Sequence, residues 1–289
     1  MFSRALVATD LSDKSERAVC TLGGLQALGT REALLVHCLN IRDVGGLGNR
    51  MMELAEPSFE RQKRLLADLG FRTDGRMVLG LPHIEINRIA AEEDYSLIVV
   101  GSEARSALGE VFLGGVATAV AHSASRPVLI LRVPRPHEDE PRSCEQVPCD
   151  LLEHVLYPTD FSDNAEAAFR YVEKLAECGA RRVTLLHVQN KPHLERHLSD
   201  RLDEFNQIDR GRLERLQEHL TQHEAGDVLI ELPLGHPKQE ILARAQGDVS
   251  LVVMGSQGRG YFGDLLLGGV SHAVARQSEA PVLLIPLPR

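Results

Sequence analysis

Residues 250–274 read SLVVMGSQGRGYFGDLLLGGVSHAV: an apolar run that stops at a glycine, a glycine-rich loop, then a short segment of mixed polarity. The first six residues have the length and the valine–leucine content of a strand buried on both faces. VSHAVARQS, which starts at Val270, has the spacing of a short helix. Glycine permits positive φ and lets backbone N–H groups approach a ligand with no Cβ in the way. A cluster of such groups followed by a helix N-terminus is an anion site. Gly255 and Gly258 are expected to shape the turn. The amides of Gly268, Gly269, Val270 and Ser271 are expected to face a phosphate, and Ser271 adds a hydroxyl donor. No lysine stands in this loop, and Arg259 is the only cation near it in sequence.

The same frame occurs earlier as GSEARSALGEVFLGGVATAV, residues 101–120. The likeness extends outward in both directions. RALVATDLSDKSERAV (4–19) matches HVLYPTDFSDNAEAAF (154–169), and EALLVHCLN (32–40) matches RVTLLHVQN (182–190). DYSLIVVGS (94–102) matches DVSLVVMGS (248–256), and SRPVLILRV (125–133) matches EAPVLLIPL (279–287). One unit is therefore present twice. Between the copies, PRPHEDEPRSCEQVPCD (134–150) is rich in proline and acid and almost without apolar residues, which is a linker composition. Domain one is expected at 1–136, the linker at 137–150 and domain two at 151–289.

Within each copy strands alternate with helices. In the second, HVLYPTD reads as a strand, Asp163 as the cap of a helix through NAEAAFRYVEKLAECGA, and Gly179 as its C-terminal stop. RVTLLHV is a second strand, residues 197–223 a long amphipathic helix, DVLIELPLG a third strand and HPKQEILARAQG a helix opening on Pro237. SLVVMG and PVLLIPL are strands four and five. Alternation of this kind predicts an α/β fold: two tandem doubly wound domains, each with a five-stranded parallel sheet. Ligands of such sheets lie beyond the carboxyl ends of the strands, near the point where strand order reverses. That places the candidates at Asp160, at residues 188–190 and in the glycine loop.

Composition narrows the function classes. With 289 residues, 43% of them hydrophobic, both halves can bury a core, and tryptophan is absent. The formal net charge of −9 argues against a nucleic-acid binder or an anionic-membrane binder, either of which would show a basic face. No apolar run approaches the roughly 18 residues of a membrane span. The start, MFSRALVATDLSD, lacks a signal-peptide pattern, so a cytoplasmic location is expected. Five cysteines are scattered, none in a C-x-x-C pair. Cys20, Cys38 and Cys178 read as buried thiols, and Cys144 and Cys149 do not meet zinc spacings. His37 and His187, at matching ends of second strands, read as packing or hydrogen-bonding residues. His193, His197, His219 and His223 read as a solvated face.

Other phosphate loops fit poorly. GxxxxGK[ST] is absent, and the GxGxxG of Gly258, Gly260 and Gly263 follows the fourth strand of its unit rather than the first. The first copy keeps only Gly109 of those three, so the match is coincidence. Glycines could also serve tight turns alone, but Gly101, Gly114 and Gly115 recur at the spacing of Gly255, Gly268 and Gly269 although the residues between differ.

The second copy resembles the universal stress protein family along its whole length, on YPTDFS (157–162), LLHV (185–188), MGSQGRGYFGDLLLGGVSHAVA (254–275) and APVLLI (280–285). ATP-binding members of that family carry G-2x-G-9x-G-[S/T], and Gly255, Gly258 and Gly268 fit the frame. The resemblance implies a Rossmann-like, adenine nucleotide alpha hydrolase-like fold that binds ATP or AMP, whose phosphates can bring magnesium. It implies that Pro158, Thr159 and Asp160 line the adenosine end, Asp160 accepting a hydrogen bond from adenine or ribose. Val188 would hold adenine through its backbone. Met254 and Gly255 would flank ribose and phosphates with Gln257 nearby, and Gly258, Gly268, Gly269, Val270 and Ser271 would cradle the phosphate chain. Asp160 read without the resemblance is a helix cap, and Val188 a core residue. The weaker counterpart in the first copy is Thr9, Asp10, Cys38, Gly101, Gly114, Gly115 and Val116. The family dimerises through its terminal strand, which implies an internal pseudo-dimer and leaves a homodimer open.

The chain departs from the pattern. Positions 269 and 115 are glycine where Ser or Thr is usual, removing a donor whose hydrogen bond to a charged group is worth about 1.5–3 kcal/mol. In the first copy Ala104 replaces the second glycine, Glu103 stands opposite Gln257, Ala8 opposite Pro158 and Cys38 opposite Val188. Site two is expected to bind nucleotide and site one to be weak or vestigial. The function implied is a stress-response regulator with an unidentified protein partner. No general base or arginine clamp for efficient phosphoryl transfer is evident. A slow ATPase and a nucleotide-free interaction module remain the alternatives.

Overall fold

Arg4–Thr9 (β1), Glu32–Asn40 (β2), Arg72–Gly80 (β3), Leu97–Glu103 (β4) and Val128–Val133 (β5) form the first sheet of the computed structural model. The second contains Val155–Pro158 (β6), Arg182–Leu186 (β7), Asp227–Glu231 (β9), Leu251–Gly255 (β11) and Val282–Ile285 (β12). The two-residue pieces Gln189–Asn190 (β8) and Leu234–Gly235 (β10) pair with each other. The structure describes residues 1–103, 113–133, 150–190, 202–223, 225–258 and 267–287. Expectations that fall on Ala104, Gly109, His193, His197, Arg259, Gly260, Gly263 and residues 134–149 lie outside them. The chain divides into one unit spanning Met1–Asp150 and another spanning Leu151–Leu287.

Each unit is doubly wound. In the first the strand order is β3-β2-β1-β4-β5, and in the second β9-β7-β6-β11-β12, all neighbours parallel. The strand order reverses between β1 and β4, and between β6 and β11, which is where a ligand crevice opens in this architecture. The central strands are buried on both faces, as β6 and β11 are at every residue, so their sequences are unbroken apolar runs. Helices cover them: in the first unit Asp13–Cys20 (α1), Ile41–Val44 (α2), Gly48–Asp68 (α3), Pro82–Glu92 (α4) and Gly115–Ser123 (α5). In the second these are Asp163–Glu177 (α6), Leu202–Gln222 (α7), Pro237–Arg244 (α8) and Gly269–Gln277 (α9).

Three local readings are corrected. The cap of α6 is Ser162, not Asp163: its hydroxyl accepts from the Ala165 amide at 3.3 Å, and Asp163 instead complements the helix dipole from the first turn. The second and third strands of domain two are also interrupted. β2 and β3 pair without a break over nine residues, whereas the matching ladder in domain two stops at Leu186–Glu231 and resumes at Gln189–Leu234. Pro233, which has no N–H to give, falls in the gap. Cys20 is disulfide-bonded rather than a thiol, while Cys38 and Cys178 are free.

Candidate functional site

Two loops meet at the reversal point of domain two. The first leaves β6 through Thr159 and Asp160. The Thr159 amide donates to the Leu186 carbonyl at 2.8 Å, and its hydroxyl oxygen accepts from the Phe161 amide at 3.0 Å. Its carbonyl accepts from Nδ1 of His187 at 2.7 Å. A carbonyl only accepts, so this contact places the proton on Nδ1. His187 is thus a buried backbone clamp, and His37 does the same for the Thr9 carbonyl at 3.0 Å. Phe161 then takes a φ of 57°, a left-handed conformation that costs a side-chain-bearing residue about 1–2 kcal/mol. Leu11 takes the same conformation in domain one, at 62°. The tight turn throws Asp160 back over the strand ends. Its Oδ1 accepts from the Ser162 amide at 3.1 Å and the Ser162 hydroxyl at 2.6 Å. Asp160 therefore braces the start of α6 without itself being the cap.

The second loop leaves β11. Glycine is needed here for space rather than for φ, since none of Gly255, Gly258 and Gly268 is among the positive-φ glycines. A Cβ at Gly255 would stand 2.6 Å from Oδ1 of Asn164, and one at Gly258 would stand 2.7 Å from Oδ2 of Asp160. Asn164 is a residue that sequence reasoning passed over. It is 2% exposed, its Nδ2 donates to the Ile285 carbonyl at 3.0 Å and its Oδ1 accepts from the Gln257 amide at 2.6 Å. It ties the first turn of α6 to the ends of β11 and β12. The signal that could have found it is a polar residue inside the apolar stripe of α6, next to Ala165.

The remaining site residues fall out as follows. Val188 and Met254 are buried, and Pro158 is enclosed in β6. Two of the expected phosphate donors are already committed: the Gly268 amide donates to the Ser256 carbonyl at 2.7 Å, and the Ser271 hydroxyl donates to the Gly255 carbonyl at 2.8 Å. Both therefore hold the loop closed on itself, and Ser271 is left with its backbone amide alone. The amides of Gly269, Val270 and Ser271 occupy the first turn of α9, where no intrahelical partner exists. Among the described residues no side chain caps that end, and a Cβ at Gly269 would lie 3.9 Å from Nζ of Lys238. Sequence reasoning named Arg259 as the only nearby cation. The fold adds Lys238, contributed by α8 from a distant part of the chain. Bare amides, an ammonium group and a carboxylate across from them at Asp160 suit a ligand with an anionic end and a hydrogen-bonding end.

Domain one keeps the frame with less of the furniture. Thr9 ends β1 and Asp10 follows it, and Oδ1 of Asp10 accepts from the Ser12 amide at 3.0 Å and from the hydroxyls of Ser12 and Ser15. Partial burial works against its charge, yet these hydrogen bonds hold its pKa below the usual value. Lys14 stands where Asn164 does, so the latch on the β4 loop is absent in that form. A Cβ at Gly101 would make only a 3.4 Å contact with Ala18, and Gly114 and Gly115 have nothing within 4 Å. Val116 is exposed. Cys38 is half-buried, and burial followed by the nearby Glu85 charge pushes its thiol up to about 11. Among the described residues no group of three or more His, Cys, Asp or Glu is arranged to hold a metal, and no helix is long and apolar enough to cross a membrane.

Comparison with known proteins places the chain in a family. The sequence profile of the Universal stress protein family matches residues 1–132 and again 152–286. Universal stress protein MJ0577 of Methanocaldococcus jannaschii is 29% identical over 155 residues, covering 46% of this chain and 96% of its own. A universal stress protein of Mycolicibacterium smegmatis is 28% identical over 237 residues, covering 81% of this chain and 77% of its own. The crystal structure of a universal stress protein from Archaeoglobus fulgidus superposes with a TM-score of 0.75 at 25% identity, covering 99% of this chain and 98% of that one.

Proposed function

The chain belongs to the universal stress protein family, with two tandem family domains, and on that premise we propose that domain two binds ATP or AMP at the mouths of β6 and β11 and that the protein is a cytoplasmic stress-response regulator. One observation carries the reading: the fold brings the Asp160 carboxylate to within 2.7 Å of where a Cβ of Gly258 would be, so the two motifs that the family resemblance named separately meet in one place. Asp160 has an oxygen held by Ser162 and is suited to fix a ribose or adenine donor. The bare first turn of α9 takes the phosphates. Bound nucleotide draws the β6 and β11 loops together, and occupancy sets the surface offered to a protein partner. Asp160 acts as an orienting acceptor, and occupancy rather than turnover is the signal.

The test is mass spectrometry of small molecules released on denaturing the purified protein, followed by calorimetry of the stripped protein with ATP and AMP. An adenine nucleotide in the released fraction and saturable heat are expected. No released nucleotide and no heat at millimolar ligand would overturn the reading in favour of a nucleotide-free interaction module. Phosphate release that tracks protein concentration and disappears in Asp160→Ala would favour a slow ATPase instead.

A further inference from the structure

Lys238 occupies a position that electrostatics alone disfavours. It lies in the first turn of α8, just after Pro237, and its Nζ reaches to 3.9 Å from the Cβ position of Gly269, the first residue of α9. Both helix ends carry positive partial charge, and cations are stabilised at the opposite end. Nearby acids do not explain the placement. Glu240, on the same turn of α8, is bonded to Arg244 at 2.7 Å, and Glu231 is also paired with Arg244. Among the described residues no carboxylate is in ion-pair contact with Lys238. The exposed ammonium stands beside two positive helix ends, so an anion bound there meets all three.

We infer that Lys238 is the polyphosphate clamp of site two, and that it makes the site select a nucleoside di- or triphosphate over the monophosphate. This rests on the nucleotide reading above and deepens it. The amides of α9 provide directional donors for one phosphate. A lysine on a separate helix, with a long flexible stem, reaches a phosphate further along the chain as a point charge. It also accounts for the glycine at 269. The hydroxyl missing from that position is replaced by a charge arriving from α8, across a gap that Gly269 leaves open.

Domain one supplies an internal contrast. The start of α4 reproduces that of α8, with the preceding residue at φ −90°, ψ 115° in one and φ −90°, ψ 118° in the other. Pro82 matches Pro237, and the next residue is His83 rather than Lys238. The Cβ position of Gly115 has nothing within 4 Å. The polyphosphate clamp belongs to domain two alone.

The experiment is calorimetry of the full chain, wild type and Lys238→Gln, with ATP, AMP and adenosine at low and high salt. Lys238 is an exposed side chain, so the variant is expected to fold. ATP should bind Lys238→Gln at least tenfold more weakly than wild type, the loss of one charge-assisted contact. AMP and adenosine should change less than twofold, and the gap for ATP should narrow at high salt as the charge is screened. Lys238→Arg should recover most of the ATP affinity. If Lys238→Gln binds ATP as wild type does, or loses ATP and AMP equally, the clamp is refuted while the nucleotide site stands. If wild type binds neither nucleotide, the site reading and the clamp fall together.

Discussion

Asn164 shows how much of a loop can hang on one buried side chain. Its amide holds the Ile285 carbonyl and the Gln257 amide, and Gly255 has no Cβ because that amide occupies the space. Asn164→Ala removes one of the two donors to the Ile285 carbonyl, which the Ser256 amide still serves, and takes the Asn164 acceptor from the part-buried Gln257 N–H, at about 1–3 kcal/mol for that lost acceptor. The urea midpoint of domain two is expected to fall, with that of domain one unmoved, and nucleotide affinity is expected to fall with it. An unchanged midpoint would remove Asn164 from the latch. Cys38 is a second residue whose surroundings decide its chemistry. Burial and then the Glu85 charge raise its pKa to about 11, so the neutral thiol persists well above neutrality. Alkylation of Cys38 is expected to be slow at pH 8 and to climb about tenfold per pH unit towards that value, because only the thiolate reacts. A rate that levels off near pH 9 would contradict the assignment. Neither behaviour was legible in the sequence, where Cys38 is one apolar-strand thiol among others and Asn164 one polar residue at a helix start. What each does depends on atoms brought in from other segments.

At the scale of elements, the decisive pair is the turn after β6 and the first turn of α9. The turn was legible as a motif, YPTDFS, but its cost was not: Phe161 pays for the placement of Asp160 with a left-handed φ. The pattern of apolar residues located the α9 end, and its glycines marked it as open. Which amides were free could not be read there. The Gly268 amide and the Ser271 hydroxyl are spent on closing the loop, because a strand-to-helix connection must satisfy its own backbone before it offers anything to a ligand. Gly269 is the place where affinity can be added. Its Cβ position is clear of close contact, with Lys238 Nζ at 3.9 Å, so Gly269→Ser is expected to restore a hydroxyl donor and tighten ATP binding about tenfold by calorimetry. Weakened binding would mean that the side chain fills space the phosphate needs.

For the whole molecule the question is why two copies of one plan differ. Both domains reverse strand order at the same place, and both hold the carbonyl after the first strand with a histidine. Among the described residues, the asparagine latch, the carboxylate packed against a loop glycine and the lysine near α9 are found in domain two. Titration of stripped protein is therefore expected to give one nucleotide per chain. Two equivalents of similar affinity would show that domain one has rebuilt the site by other means. The exchange of Asn164 for Lys14, of Lys238 for His83 and of Gly258 for Ala104 concerns residues far apart in sequence that serve one loop, so an alteration at one relaxes the demand on the others.

The doubled α/β plan and the strand order class were determined by the sequence alone, as was the neighbourhood proposed for the candidate site, because apolar periodicity and glycine spacing are local and each copy states them again. Tertiary structure alone decided which donors stay available, that Asn164 rather than a glycine φ sets the loop, and that a lysine from α8 stands beside α9. Those outcomes depend on hydrogen-bond competition and on distances between segments that the parallel sheet brings together, and no run of neighbouring residues encodes either.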